Sequence, residues 1–208
     1  MNSKERIINA AIEVFAKKGK HGARMEEIAA KAKVNKAMVY YYYNSKENLF
    51  REVLNIIMSR IFESVSLSLN QLNISSDNVA EKVRQVVRAH FEALSQNSNF
   101  VKIFIETVAK DPDELYKAIE TAQISSKIVE KLLAIFTDGI SKKIFRNIDP
   151  KQILISILGL NIMYFIGKPI FKKLLNISVE NEQKFIKDRE NVIVDLLLYG
   201  IMQRRNLK

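Results

Sequence analysis

One segment, residues 25–49, constrains the fold of this chain more than any other: MEEIAAKAKVNKAMVYYYYNSKENL. It predicts a short helix, a tight turn, a second helix rich in Lys and Tyr, and the start of a third helix. Val34, Val39 and Tyr43 recur at a spacing that points one stripe of the second helix inward. Tyr40–Tyr42 then lie outside or at the margin, where their hydroxyls can bond phosphate oxygens. This order suits a helix-turn-helix, in which one helix braces on the DNA backbone and the next enters the major groove.

Positive charge is concentrated at the amino-terminal end. The chain has 33 Lys and Arg against 23 Asp and Glu, a net charge of +10, and half of that excess lies in residues 1–48. A concentrated cationic region attracts a polyanion, because phosphate neutralisation supplies most of the sequence-independent affinity for DNA. A general solubility charge is the alternative explanation of the charge taken by itself.

Turn-forming residues are rare, with six Gly and three Pro in 208 residues. Apolar residues recur at helical spacing without strand-like alternation, which predicts an all-α protein. Gly19 should end the first helix, Asn35 should cap the recognition helix and Ser45 the next one, while Pro169 should kink or end its helix. Besides the recognition helix, helices are expected at about 4–18, 25–32, 46–72, 78–96, 99–109, 113–145, 150–174 and 181–204, with a loop at 73–77.

Several functional classes are disfavoured by composition. There is no Cys and there are two His, without metal-ligand spacing, which argues against an enzyme and predicts neither cofactor nor metal. The amphipathic start is unlike a secretory signal and predicts a cytoplasmic protein. The longest uncharged run, Ile153–Gly167, is shorter than the roughly 20 residues that cross a bilayer, so a buried helix and no membrane contact are expected. A membrane-surface or lipid-carrying helical protein is the alternative function, because it could use a basic head and an apolar body.

Residues 6–50 resemble the amino-terminal signature of TetR-type transcriptional regulators. The matching positions are Arg6-Ile7-Ile8, Ala10-Ala11, Phe15, Gly19, Ile28-Ala29, Val34, Val39-Tyr40, Tyr43, Ser45-Lys46-Glu47 and Leu49. The family usually has Thr or Ser before the second helix, where this chain has Ala23 and Arg24, so either that cap is lost or Arg24 meets a phosphate. The recognition helix usually carries a small residue and a Thr where Ala37 and Met38 stand, so base recognition at Met38 would rest on apolar contact, for instance with a thymine methyl.

The resemblance implies a role for each residue of the recognition helix. Lys36 would reach a guanine edge or a phosphate, and Ala37, Met38 and Tyr40 would face the groove. The predicted DNA-binding set is Arg24, Asn35, Lys36, Ala37, Met38, Tyr40, Tyr41, Tyr42 and Lys46, of which Tyr41, Tyr42 and Lys46 would bind the backbone. Solvated surface charge is the alternative for Lys36 and Lys46, whereas Tyr43 is assigned to the core, in place of the family's buried Phe.

Residues 1–48 are thus predicted to form a helix-turn-helix domain, and 49–208 a helical domain for ligand binding and dimerisation. The last two helices carry small residues within apolar stripes, and in the family these helices pair with their symmetry mates in a four-helix bundle. A homodimer would also read two half-sites about 34–36 Å apart; a monomeric core is the alternative. The predicted interface residues are Ser156, Gly159, Met163, Leu196, Leu197 and Gly200.

The middle helices carry aromatic and polar residues that could line an apolar effector cavity. These are His90, Phe104, Glu106, Tyr116, Asn161, Tyr164 and Phe165, each of which is also a candidate for packed core or surface. An apolar or aromatic effector is expected, with a long fatty chain, a drug-like cation and an unliganded core all left open. The resulting hypothesis is a homodimeric repressor that a small effector releases from a palindromic operator; the sequence does not separate repressor from activator.

Overall fold

The structure, a computed structural model, describes residues 2–70, 78–122, 125–177 and 182–203. The regular structure of these residues is helical, which confirms the all-α prediction. The helices are α1 (Ser3–Gly22), α2 (Met25–Ala32), α3 (Lys36–Tyr43), α4 (Lys46–Asn70), α5 (Val79–Gln96), α6 (Ser98–Lys110), α7 (Pro112–Thr121), α8 (Ser125–Ser141), α9 (Pro150–Leu174) and α10 (Glu182–Ile201).

The chain divides into two compact units. The first comprises Met1–Arg60 and Asn97–Gln123, so it contains the whole predicted helix-turn-helix region together with α6 and α7. In this unit α1 packs on α2 and α6, and α6 packs on α7. Its core includes the rings of Phe15 and Phe50, whose centroids are 5.0 Å apart at nearly right angles. This packing fixes α2 and α3 on a buried apolar base.

The second unit comprises Ile61–Gln96 and Ile124–Lys208. Helix α5 contacts α8, α9 and α10, and its inward stripe contributes Val83, Val87 and Phe91 to the core. Helix α10 contributes Ile193 and Leu197 to the same core. Helix α5 therefore buries one face in this core, as expected for an amphipathic helix.

Most predicted helices lie within a few residues of the observed ones. Gly19 has a positive φ of 70°, but helical residues resume after it and α1 runs to Gly22. The single helix predicted over 113–145 is wrong, because the chain forms α7 and α8 there. Pro169 does not end α9, which continues to Leu174. The predicted loop at 73–77 lies outside the described residues.

The prediction that α9 is a buried helix is also wrong. Its inward positions, such as Ile157 and Asn161, are buried, but Ile155 is 60% and Ile170 66% exposed. Over 25 residues α9 is long and apolar enough to cross a membrane by length and composition, and 28% of its most apolar segment is buried. A helix that is apolar on both faces needs a covering partner on the outer one.

Candidate DNA-binding surface and effector cavity

The turn between α2 and α3 places the recognition helix. Lys33 ends α2 in the left-handed conformation, with φ 54° and ψ 47°, and the Val34 amide donates to the Ala29 carbonyl at 3.0 Å. Asn35 then caps α3, as predicted, because its side chain accepts a hydrogen bond from the Met38 amide at 2.7 Å. Ser45 caps the next helix by accepting from the Asn48 amide at 3.1 Å. Both caps satisfy amides that a helix start leaves open.

The inner face of α3 is as the spacing predicted. Val39 is fully buried and Tyr43 is 6% exposed. The Tyr43 hydroxyl lies 3.4 Å from the Lys4 carbonyl and donates to it, and burial raises the pKa of Tyr43 to about 12. Tyr43 is therefore a core residue that ties α3 to α1.

The outer face of α3 presents three tyrosine rings. Tyr41 is 81% exposed, and Tyr40 and Tyr42 are each 40% exposed. The rings of Tyr41 and Tyr42 meet edge to face, with centroids 5.3 Å apart. Ala37 is also exposed, and Met38 is half-buried. Flat side chains with polar tips are thus displayed on the surface of α3, which suits contacts to sugars, phosphates and base edges.

Lys36, the first residue of α3, is held by two neighbours. Its ammonium forms an ion pair with the Glu26 carboxylate, Nζ to Oε1 2.5 Å, and lies 5.5 Å from the centroid of the Tyr40 ring. The ion pair raises the pKa of Lys36 and lowers the pKa of Glu26, chiefly through their mutual hydrogen bond. Lys36 therefore remains cationic and is directed toward α2 in the free protein.

The two flanking cations of the predicted set differ in their surroundings. Arg24 precedes α2 at the cap position, makes no capping hydrogen bond with its side chain and is exposed. Lys46, by contrast, donates from Nζ to the carbonyls of Ala23 at 3.2 Å and His21 at 3.3 Å. Arg24 is thus available at the amino end of α2, while Lys46 also fixes the segment between α1 and α2.

Four predicted effector residues assemble in the second unit. The Asn161 amide is fully buried; its Nδ2 donates to the Val87 carbonyl at 3.1 Å and lies 3.0 Å from His90 Nδ1. A neutral imidazole protonated on Nε2 accepts this second bond, and burial lowers the pKa of His90 to about 4. The ring of Phe91 stacks on Tyr164 at 5.9 Å and contacts Phe165 at 4.9 Å. His90, Asn161, Tyr164 and Phe165 therefore form a polar pair beside an aromatic cluster.

An open cavity of about 450 Å³ lies between α9 and α10 beside this cluster. Tyr164 contributes to both, and Arg189 is the one charged residue among the described residues that line the cavity. The lining residues, mainly apolar, are Gly159, Leu160, Met163, Tyr164, Phe171, Leu175, Phe185 and Arg189. Its volume is within the range of small-molecule sites.

The other three predicted effector residues belong to the first unit and have local partners. Phe104 packs on Phe100 at 5.4 Å, and Glu106 pairs with Lys110 at 3.0 Å while its carboxylate abuts Gly19. Tyr116 is 61% exposed, and its hydroxyl donates to Glu120 at 2.9 Å. Tyr116 points outward because the buried stripe of α7 runs through Leu115 and Ala118.

The predicted dimer residues separate into two groups. Ser156, Gly159, Met163, Leu196 and Gly200 are exposed, and a Cβ added at either glycine would meet no atom of the described residues within 4 Å. Leu197 is 6% exposed and belongs to the core of its own unit, so we leave it out of this surface. The helical period turns Leu196 outward and Leu197 inward, because adjacent residues differ by about 100° around the axis.

Sequence reasoning missed Glu26, Arg189 and the strained backbone of Lys33. The Glu26–Lys36 pair joins two helices across a turn, and no periodicity encodes which acidic residue meets which lysine. Arg189 lies on the cavity wall because α9 and α10 pack together there. The turn of a helix-turn-helix requires a residue in the left-handed conformation, and the position of Lys33 between α2 and α3 could have predicted that conformation.

The chain belongs to the TetR family. The family model for bacterial regulatory proteins of the tetR family matches residues 7–53, and the model for a tetracyclin repressor-like C-terminal domain matches residues 80–197. The second match alone covers more than half of the chain. The family suggested by the amino-terminal residues is therefore confirmed.

Relatives and solved structures agree with this placement. The chain is 29% identical over 145 residues to the HTH-type transcriptional repressor NicS of Pseudomonas putida, covering 70% of this chain and 66% of NicS. It is 26% identical over 201 residues to the fatty acid metabolism regulator protein of Bacillus subtilis, covering 94% and 93% of the two chains. The crystal structure of the B. subtilis transcriptional regulator FadR in complex with stearoyl-CoA shares the fold, with a TM-score of 0.70 at 24% identity over 95% of this chain and 99% of that one.

Coverage of the relatives is uneven. The matches span between 57% and 66% of the length of four curated relatives. The activity and partners of those proteins therefore enter below as proposals for this chain.

Proposed function

We propose that this protein is a homodimeric, sequence-specific repressor of transcription that acts in the bacterial cytoplasm. The observation that carries the proposal is the capped recognition helix α3, which exposes the Tyr41 ring opposite its buried stripe and the rings of Tyr40 and Tyr42 at the margins of that outer face. The concentration of positive charge in the first 48 residues supports binding to a polyanion, and NicS, a relative, is named a transcriptional repressor.

Each predicted DNA-binding residue has a role under this proposal. Arg24 neutralises a phosphate at the amino end of α2, where the helix dipole adds to the attraction. Ala37, Met38 and Tyr40 face base edges, with apolar contact to a thymine methyl at Met38. Tyr41, Tyr42 and Lys46 bond the sugar–phosphate backbone, while Asn35 holds the first turn of α3 in place and Lys36 reaches into the groove.

The test is selection of duplexes from a random pool, followed by a mobility-shift titration of the selected duplex and a scrambled one. We expect tighter binding to the selected, palindromic duplex by at least 1,000-fold at physiological salt, the lower end of the range for specific regulators. Equal affinity for both duplexes would refute the repressor proposal.

Dimerisation is proposed to use the outer faces of α9 and α10. On α9 the stripe of Ile155, Met163, Ile166 and Ile170 is exposed, and on α10 Leu196 is 59% exposed. A second copy of the same apolar surface is the complement that a twofold interface requires. Gly159 and Gly200, with open space above them, permit close approach of partner helices.

The effector is proposed to be a small, largely apolar molecule that carries an anionic group. The cavity between α9 and α10 supports this proposal through its apolar lining and the cation of Arg189, which has no ion-pair partner among the described residues. The relative from B. subtilis is named for fatty acid metabolism, and the FadR structure contains stearoyl-CoA. An effector can release DNA only by binding one conformation of the repressor more tightly than the other.

The effector test compares long-chain carboxylates with alcohols of equal length, using calorimetry on the intact protein. We expect the carboxylate to bind more tightly, and Arg189→Gln to remove that preference while the affinity for the alcohol is retained. Equal affinity of the wild type for carboxylate and alcohol would contradict an anionic effector at this site.

A membrane-surface or lipid-carrying protein is the second candidate, because α9 is long and apolar enough to enter a bilayer. Sedimentation with anionic and neutral liposomes, beside the duplex titration, separates the two candidates. The repressor proposal expects duplex binding without cosedimentation of the folded dimer. Cosedimentation of all the protein with neutral liposomes would favour the membrane candidate.

A further inference from the structure

The ion pair between α2 and α3 joins an acidic residue to the lysine that begins the recognition helix. The side chains of Lys36 and Glu26 are 51% and 59% exposed, so both are accessible to a DNA duplex docked on α3. A carboxylate here repels a phosphate group that approaches the Lys36 ammonium. The position of the Glu26 carboxylate beside a lysine of the predicted DNA-binding set therefore needs a physical explanation.

The three donors of the Lys36 ammonium group provide an explanation for the position of Glu26. Lys carries three N–H donors, so Lys36 can keep one hydrogen bond to Glu26 and donate the others to neutral acceptors such as guanine O6 and N7. A phosphate oxygen in the same position would face the Glu26 carboxylate and be repelled. The Tyr40 ring, 5.5 Å from the ammonium, limits the directions that the lysine can take.

The other ion pairs in the same region differ from this one. Glu27, the neighbour of Glu26, pairs with Lys18 at 2.7 Å, and Glu13 pairs with Lys31 at 2.6 Å. Both of those pairs join α1 to α2, and neither lysine belongs to the predicted DNA-binding set. Among the described residues of the first 48, Glu26 is thus the acidic residue that engages the recognition helix through a salt bridge.

We propose that Glu26 is a specificity-determining residue, which directs Lys36 to an uncharged base edge and withholds it from phosphate. The inference rests on the proposed DNA-binding function. In non-specific complexes affinity comes from neutralised phosphates, so a lysine shared with Glu26 adds little to them. In the specific complex the same lysine bonds a base, and the discrimination between the two complexes increases.

The experiment compares Glu26→Gln with Glu27→Gln, which removes the same charge from the next residue of the same helix turn. Lys36→Gln and the double variant Glu26→Gln/Lys36→Gln complete the cycle. Affinities for the selected duplex and for a scrambled duplex are measured between about 50 and 200 mM salt, the range in which phosphate contacts change affinity strongly. Thermal unfolding of each variant establishes that the proteins compared are folded.

We expect Glu26→Gln to raise the affinity for the scrambled duplex about fivefold at the lowest salt, as one added phosphate contact would, and to steepen its salt slope by about 0.9. Affinity for the selected duplex should change by less than about twofold, so the specificity ratio falls. Glu27→Gln should leave the salt slope unchanged. In the Lys36→Gln background, Glu26→Gln should have no effect on the slope.

Three results would overturn the inference: an unchanged specificity ratio in Glu26→Gln, an equal effect of Glu27→Gln, or a change of the salt slope by Glu26→Gln that persists without Lys36. The failure of the proposed function is distinguishable from these. If the wild-type protein does not prefer the selected duplex over the scrambled one, the DNA-binding proposal fails, and the inference about Glu26 fails because it rests on that proposal. If the wild type discriminates and Glu26→Gln discriminates equally well, the role of Glu26 alone is refuted.

Discussion

Helices α3 and α9 both leave large apolar side chains on the surface, but the chemistry around them differs. On α3 the exposed rings are tyrosines, and Lys36 and Glu26 lie beside them. On α9 the exposed stripe contains aliphatic residues such as Ile155 and Ile170, whose side chains have no hydrogen-bonding group. Aromatic rings with hydroxyls and nearby charge suit a polar, anionic partner, whereas an aliphatic stripe suits another apolar protein surface.

Helices α3 and α9 thus present two chemically different kinds of exposed surface, although both carry large exposed side chains. Met163 and Tyr41 are both exposed, at 54% and 81%, yet the first should be covered in the dimer and the second should remain available to DNA. The predictions below test this difference, beginning with the largest expected effect.

A charge on the outer face of α9 should break the dimer. Met163→Asp places two unpaired carboxylates in a twofold interface, so we expect the dimer dissociation constant to rise on the order of 1,000-fold. Sedimentation equilibrium measures it directly. Val129→Asp, at an exposed apolar residue of α8, is the matched control and should leave the dimer intact; dissociation of both variants alike would remove α9 from the interface.

His90 of α5, which contacts Asn161 on the inner face of α9, should make the free energy of unfolding depend on pH. Burial lowers the pKa of His90 from its ordinary value of 6.5 to about 4. The neutral form is favoured by folding, so stability is full above pH 6.5 and falls as the pH decreases toward 4, by at most about 3 kcal/mol.

Urea unfolding of wild type and His90→Gln across this range gives the contribution of His90 by difference. The variant should show a flatter curve between pH 6.5 and 4. His21→Gln, at an exposed histidine, is the control and should follow the wild-type curve. Parallel curves for wild type and His90→Gln would show that His90 does not titrate in a buried site.

Removing one hydroxyl from the outer face of α3 should weaken DNA binding without changing the salt dependence of the affinity. Tyr41→Phe loses a hydrogen bond to the backbone, which corresponds to about 1 kcal/mol or about a fivefold lower affinity. Because the hydroxyl is uncharged, the salt slope should stay the same. Mobility-shift titrations at two salt concentrations test both statements, and an unaltered affinity would remove Tyr41 from the contacts.

The smallest effect is expected at the turn that positions α3. Lys33 holds a left-handed backbone with φ 54°, a conformation that Gly adopts without steric cost. Lys33→Gly should therefore stabilise the protein by about 1 kcal/mol or less, measured by urea unfolding. Destabilisation would mean that the Lys33 side chain makes a contribution larger than the backbone strain.

The helix-turn-helix could be predicted from sequence because its determinants are local. Asn35 and Ser45 occupy cap positions that satisfy amides within three residues, and Val39 and Tyr43 follow the period of a single helix. Each of these assignments depends on the chain within one or two turns. The outward tyrosines followed from the same period.

The chain beyond the helix-turn-helix was less predictable because its determinants lie between helices. Apolar periodicity continues across the break between α7 and α8, and residues 113–145 contain no Pro and a single Gly, so one helix was expected there. The apolar run of α9 indicated burial without identifying the covering surface. The hydrogen bond from Asn161 of α9 to the Val87 carbonyl of α5 depends on helix packing, which the pattern of one helix does not encode.

The most direct test of the account is the dependence of affinity on half-site spacing. In the selected palindromic duplex two copies of α3 should occupy successive major grooves, about one helical turn apart. Adding five base pairs between the half-sites turns one of them to the opposite face of the duplex. We predict that this insertion lowers affinity at least 100-fold, a loss comparable with that caused by one or two mismatched base pairs, whereas unchanged affinity would contradict a twofold repressor that reads DNA with α3.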